Sequence, residues 1–254
     1  MLLLAAALSS LIGISLGMLG GGGSILTVPI LVYALDVDPK AAIATSLVVV
    51  GVTSAVGAAQ HHRKGNVDLR VGLAFGAAGM VGAAAGGTFT RFLSGEVLLV
   101  AFAGLMIAAA AAMLRGRREA THRPPPPAWR IALDGLGLGV VTGLVGAGGG
   151  FLLVPALTER AGLPMKRAVG TSLLVIAMNT SAGLVAHLGH TALDLRLTAV
   201  VTVAAVAGSF VGARLAQGLP ERALRRGFAV FVLGLALFQI GMTSAAHGWL
   251  PGAR

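Results

Sequence analysis

Two glycine clusters are the places where this sequence could do chemistry. The stretch GMLGGGGSILTVPILV, residues 17–32, sets Gly20, Gly21, Gly22 and Gly23 before Ser24, and GLVGAGGGFLLVPALT, residues 143–158, holds Gly146, Gly148, Gly149 and Gly150. Consecutive glycines tolerate left-handed backbone angles and close backbone approach, so each cluster reads as a turn between two short helices. The first amides of the helix after each turn, from Ser24 and from Gly150 onward, lack intrahelical partners and sit at the positive end of a helix dipole, which suits an anion. Hydroxyls recur at matched places: Thr45 and Ser46 answer to Thr171 and Ser172, and Thr53 and Ser54 to Asn179 and Thr180. A spacing of seven or eight residues, as from Thr45 to Thr53, brings each set onto roughly one helix face. His61 and His187 stand at matched ends of apolar runs and could carry protons near neutral pH.

These groups must be positioned by elements buried in lipid. Of 254 residues, 56% are hydrophobic and 11% charged, with a mean hydropathy of +0.88, whereas a soluble domain carries about 25% charge. Runs 41–59, 69–90, 96–114, 168–186, 197–213 and 224–246 are each long enough, or nearly so, to cross a ~30 Å hydrocarbon core. The net charge of +10 does not point to nucleic acid, because Lys and Arg occupy the short breaks between apolar runs and no basic face with stacking aromatics exists. Cysteine is absent, which excludes disulfides, thiolate metal sites and thiol relays. The start MLLLAAALSSLIG lacks a basic n-region and is expected to stay in the mature chain.

The second glycine stretch repeats the first at an offset of 126 residues, pairing Gly17 with Gly143, Gly23 with Gly149 and Pro29 with Pro155. The register continues without a gap through Lys40 and Lys166, His61 and His187, and the two Asp-Leu-Arg triplets at Asp68 and Asp194. Residues 1–114 and 131–254 therefore read as two homologous transmembrane repeats, and residues 115–130, with five Arg and four consecutive prolines, as a stiff cytoplasmic linker. Inverted repeats put Arg63, Lys64, Arg70, Arg160, Lys166, Arg167, Arg222, Arg225 and Arg226 on the linker side and leave Lys40, Arg91, Arg196 and Arg254 opposite. Parallel repeats send eight of these cations across, so the positive-inside rule favours inversion. Each repeat then needs an odd number of crossings. With three clear spans per repeat, the glycine segment must be a broken or re-entrant helix pair. As one helix, residues 2–35 would be about 51 Å long, too long for a single untilted span.

Packing accounts for other features. Gly82, Gly86, Gly208 and Gly212 have the small-xxx-small spacing of touching membrane helices, and Pro29 and Pro155 shape helices. Thr45, Ser46, Thr171 and Ser172 suit either interhelical hydrogen bonds or solute contact. Acidic residues sit only at run ends, so no dedicated carboxylate cation site is expected. No metal, cofactor or nucleotide-binding P-loop is expected either. An intramembrane hydrolase with Ser24 as nucleophile and His61 or His187 as base is disfavoured because the second copy has Gly150 in place of the serine. A non-transporting subunit or scaffold is the other alternative.

GMLGGGGSILTVPIL followed by PKAAIATSL, with the echoes GLVGAGGGFLLVPAL and AVGTSLLVI, resembles the TauE/SafE family over nearly the whole chain. The resemblance implies a secondary transporter of the bacterial inner membrane for small sulfur-containing anions such as sulfite, sulfoacetate or other sulfonates. Seven or eight hydropathy-predicted helices are usual for the family; hydropathy merges a re-entrant pair into one span. The expectation is an all-α polytopic membrane protein of two inverted repeats. A small anion would lie between the glycine turns, the Thr-Ser pairs and Asn179, with lipid around it. The sequence leaves homo-oligomer formation open.

Overall fold

The computed structural model describes residues 2–20, 24–89, 95–115, 127–145, 150–187 and 194–246. Among them the regular structure is entirely helical, as expected where backbone polar groups must be satisfied within lipid. The first half contains α1 (Leu2–Leu19), α2 (Ser24–Pro29) with a π-helical continuation (Ile30–Ala34), α3 (Pro39–Arg63), α4 (Leu69–Phe89) and α5 (Gly95–Leu114). The second contains α6 (Ala128–Val145), α7 (Gly150–Glu159), α8 (Met165–His187), α9 (Leu195–Gly218) and α10 (Glu221–Ala246). Every helix of the second half starts 126 residues after its counterpart.

The six apolar runs correspond to α3, α4, α5, α8, α9 and α10. Leu69–Gly86 in α4 and Leu195–Ala216 in α9 are long and apolar enough to cross a membrane by length and composition, and Ala5–Leu19 in α1 is a shorter apolar stretch. Val81 and Val203, 63% and 69% exposed, point large apolar groups outward from α4 and α9, as lipid-facing positions require. Residues 116–126 of the linker lie outside the described residues. Its last three, residues 128–130, form the first turn of α6, where the carbonyl of Pro127 accepts from the Arg130 and Ile131 amides. Proline is well suited to a helix start because its missing amide would be unpaired there anyway.

The helices pair chiefly across the halves: α1 lies along α9, α6 along α4, α3 against α8 and α5 against α10. Glycines set the closest approaches. A Cβ at Gly208 would collide with the Ser10 carbonyl and one at Gly212 with the Ile14 carbonyl, so α1 and α9 run parallel with backbones touching. Gly82 meets the Leu136 carbonyl and Gly139 the Gly79 carbonyl in the equivalent α4–α6 contact. Between α3 and α8 the order reverses: Gly51 lies against Thr180, Gly57 against Leu173, and His61 against Gly170, an antiparallel pair.

Ion pairs fasten one end of this bundle. The Arg225 Nε donates to the Met113 carbonyl at 2.7 Å while its guanidinium pairs with Glu159 at 2.5 Å, joining the start of α10 to the ends of α5 and α7. Arg160 pairs with Asp134 at 2.6 Å, joining the end of α7 to the start of α6.

The broken helices end alike. The Val37 amide donates to the Leu31 carbonyl and the Leu163 amide to the Leu157 carbonyl, each at 3.0 Å, in Schellman-type closures. The left-handed residue is Gly162 (φ 77°) in the second half but Asp36 (φ 53°) in the first. Asp36→Gly is expected to stabilise the protein by about 1 kcal/mol, because a Cβ is unfavourable at this φ. A rise in melting temperature of the detergent-solubilised protein checks it; no rise would mean that the aspartate side chain already offsets the backbone cost.

Candidate functional site

Gly20 closes α1 with φ 69° and is buried. A Cβ there would lie 2.6 Å from Ser172 Oγ and 3.1 Å from Val154 Cγ2. Gly20 therefore rests on α8 and α7 of the second half, one turn into α7, and α2 also packs against α7. The short helices begin at Ser24 and Gly150, the residues whose amides the sequence singles out. Gly21, Gly22, Gly23, Gly146, Gly148 and Gly149 lie outside the described residues.

The Thr-Ser pairs divide in role. Thr171 is fully buried, and its Oγ1 accepts from the Asp68 amide at 3.0 Å. Asp68 in turn caps α4, its carboxylate accepting from the Val71 amide at 3.0 Å. Thr171 thus ties α8 to the start of α4. Asp194 caps α9 through the Arg196 and Leu197 amides, so both Asp-Leu-Arg triplets are helix starts. Ser172 donates to the Val169 carbonyl at 2.8 Å while facing Gly20. Thr45 and Ser46 are buried in α3. Asn179 is half-buried on α8 beside Gly79 of α4, and its Oδ1 has no partner.

His61 is buried under the first turns of α8, its Cβ 2.8 Å from where a Gly170 Cβ would stand, and neither ring nitrogen has a hydrogen-bond partner. Tertiary packing turns a position that reads as the end of a run into an enclosed one. The side chain of His187 lies outside the described residues. Sequence reasoning missed Thr27, whose hydroxyl is buried and unpartnered on α2. Its second-half counterpart is Leu153, so the repeat gave no matching polar position to mark it.

The glycine turn, the short helices and the paired repeat together extend over the chain, and so does the likeness to known proteins. The family model "Sulfite exporter TauE/SafE" matches residues 4–238. The chain belongs to the TauE/SafE family. A Xylella fastidiosa "probable membrane transporter protein" is 34% identical over 241 residues, covering 91% of each chain. YdhB of Bacillus subtilis, with the same description, is 27% identical over 221 residues, covering 85% of this chain and 90% of its own. A Methanocaldococcus jannaschii relative so described is 26% identical over 266 residues, covering 94% and 96%. No solved structure matches. TauE/SafE is a family of membrane transporters, and the outward apolar faces of α4 and α9 accord with that setting in this TauE/SafE chain.

Proposed function

We propose that this chain is an alternating-access secondary transporter for a small sulfur-containing oxoanion or organosulfonate, sulfite or sulfoacetate being representative. It works in the bacterial cytoplasmic membrane with linker 115–130 on the cytoplasmic side. The observation that carries the reading is the contact of Gly20 with Ser172 and Val154, which joins the broken helix of one half to the short helix and hydroxyl pair of the other. Secondary transporters use broken helices at a repeat interface in this way, with half-helix amides directed at an anionic group. In this reading Gly20 to Ser24 and Gly146 to Gly150 form two halves of one site. Ser172, Thr45, Ser46 and Asn179 add neutral donors, and His61 and His187 are the candidates for proton coupling.

Helix direction supports reading the repeats as inverted. If chains reverse at the short connections after α3 and α8, the parallel α1–α9 and α4–α6 pairs and the antiparallel α3–α8 pair make α1 and α3 run the same way. The glycine segment must then return between them. In this reading each first-half helix runs opposite to its second-half counterpart, with the repeats taken as residues 1–114 and 131–254. The bond from Arg225 to the Met113 carbonyl, close to the linker, supports the same arrangement.

Proteoliposomes containing this chain alone should take up or release labelled sulfite down an imposed gradient; a chain that moves none of sulfite, thiosulfate, sulfonates or carboxylates is not this transporter. Single cysteines at Arg115 and Arg226 should label from the cytoplasmic face and one at Arg196 from the opposite face. Label reaching position 226 from outside would overturn the inverted arrangement.

A further inference from the structure

Hydroxyls in membrane helices commonly donate back to a carbonyl one turn earlier, and several here do. Ser9, Thr158, Ser172, Thr180, Thr202 and Ser209 each bond a carbonyl of their own helix at 2.5–3.0 Å. Thr27, Thr53 and Ser54 do not: their hydroxyls are 0–1% exposed and without any partner. Thr53 stands about 21 Å and 15 Å along the helix from the two ends of α3, at ~1.5 Å per residue, far from bulk water. A buried donor left unmade is costly, and orphaned groups at such depth mark a place where something polar binds.

Thr27 and Thr53 share one neighbourhood, whereas Ser54 falls on the line of Gly51 and Gly57, which face Thr180 and Leu173 of α8. Thr27 precedes Leu31 by one turn and Thr53 follows Val49 by one turn, and Leu31 and Val49 pack in the same small apolar cluster. The four residues after the π-helical turn fold α2 and its continuation back onto α3, so the two run antiparallel. Thr27 and Thr53 therefore lie on the same side of the cluster that holds Leu31 and Val49, toward Ser24. The second half differs: its matching positions are Leu153, buried in the main apolar core, Asn179, half-buried with an unpartnered Oδ1 acceptor in place of a hydroxyl, and Thr180, which is bonded back to Ile176 and Ala177.

We propose that Thr27 and Thr53 form a hydroxyl subsite that receives oxygens of the anionic head group, so that the two repeats bind the solute unequally. Two neutral O–H donors suit two of the three oxygens of sulfite or of a sulfonate. This rests on the transporter reading above.

The test uses the purified full chain with sulfite and methanesulfonate as probes. Thr27→Val and Thr53→Val, which keep shape and remove the hydroxyl, should each raise Kd about tenfold, equivalent to ~1.4 kcal/mol. The anion-free protein should melt at the wild-type temperature or above it, since an unsatisfied group is removed. Thr53→Ser should stay within about twofold of wild type, and Thr198→Val, an unpartnered buried hydroxyl near the start of α9, should not change Kd. Unchanged Kd in both Val variants, with wild type still binding, overturns the subsite and leaves the transporter reading intact. A change in sodium dependence without a change in anion Kd also overturns it, by assigning the hydroxyls to a cation. Wild type binding neither anion, together with no flux of any anion in proteoliposomes, removes both.

Discussion

Gly20→Val is expected to abolish transport. The substituted residue must hold φ near 69°, which costs a side-chain-bearing residue about 1–2 kcal/mol. Its Cβ would stand 2.6 Å from Ser172 Oγ and 3.1 Å from Val154, an overpacking worth a further ~1–3 kcal/mol. The turn can relieve both only by moving off α8 and α7. That displacement separates the groups whose meeting defines the proposed site, so flux should fall by two orders of magnitude or more, since a ~1 Å misplacement alone costs about 10²-fold. Sulfite flux in proteoliposomes measures it, with size-exclusion elution and melting temperature reporting on folding. Gly20→Ala combined with Ser172→Ala removes the hydroxyl contact while keeping the backbone strain, and should recover part of the melting temperature lost in Gly20→Ala alone, without restoring flux because Ser172 is a proposed donor to the anion. Wild-type flux from Gly20→Val would show that the turn has no part in transport.

Gly208→Val should damage the fold itself. The Cα of Gly208 faces the Ser10 carbonyl so closely that any Cβ collides with backbone, and the Ile14 amide nitrogen is only 3.1 Å from that Cβ position. A flexible side chain can turn aside, but two helix backbones must be driven apart. The loss should reach about 3 kcal/mol, the upper part of the ordinary overpacking range. Gly82→Val should do the same between α4 and α6, where the Leu136 carbonyl takes the place of Ser10. Gly104→Val and Gly234→Val are the controls, because nothing lies within 4 Å of a Cβ at either position. Melting temperature and the monodisperse fraction in detergent distinguish the pairs. Equal tolerance of all four would mean that the glycines do not set helix approach.

Much of the site was legible because the chain states it twice. The offset of 126 residues linked Gly20 to Gly146 and Thr45 to Thr171, and the hydropathy pattern gave the long helices within a few residues. What the pattern could not assign was the role of each hydroxyl. Thr45 and Thr171 occupy equivalent positions, yet Thr171 accepts from the amide of Asp68, a residue 103 positions away. His61 reads as a group at the edge of a run, but Gly170 lets α8 approach closely enough to bury it. Thr27 looks like any threonine in an apolar helix, and only the lack of a partner for its oxygen distinguishes it.

By itself, the sequence determined membrane residence, the doubled architecture, the family and the places where helices break. Those properties follow from composition, from periodicity along one chain and from the turn preferences of glycine, all of which are local. Only the tertiary structure decided which helices touch and in which direction, and which polar groups remain unsatisfied. The reason is physical: pairing α1 with α9 and α3 with α8 depends on backbone shape at glycine contacts between residues more than 100 positions apart. A hydroxyl becomes a candidate ligand only when its neighbours in space, not in sequence, leave it unbonded.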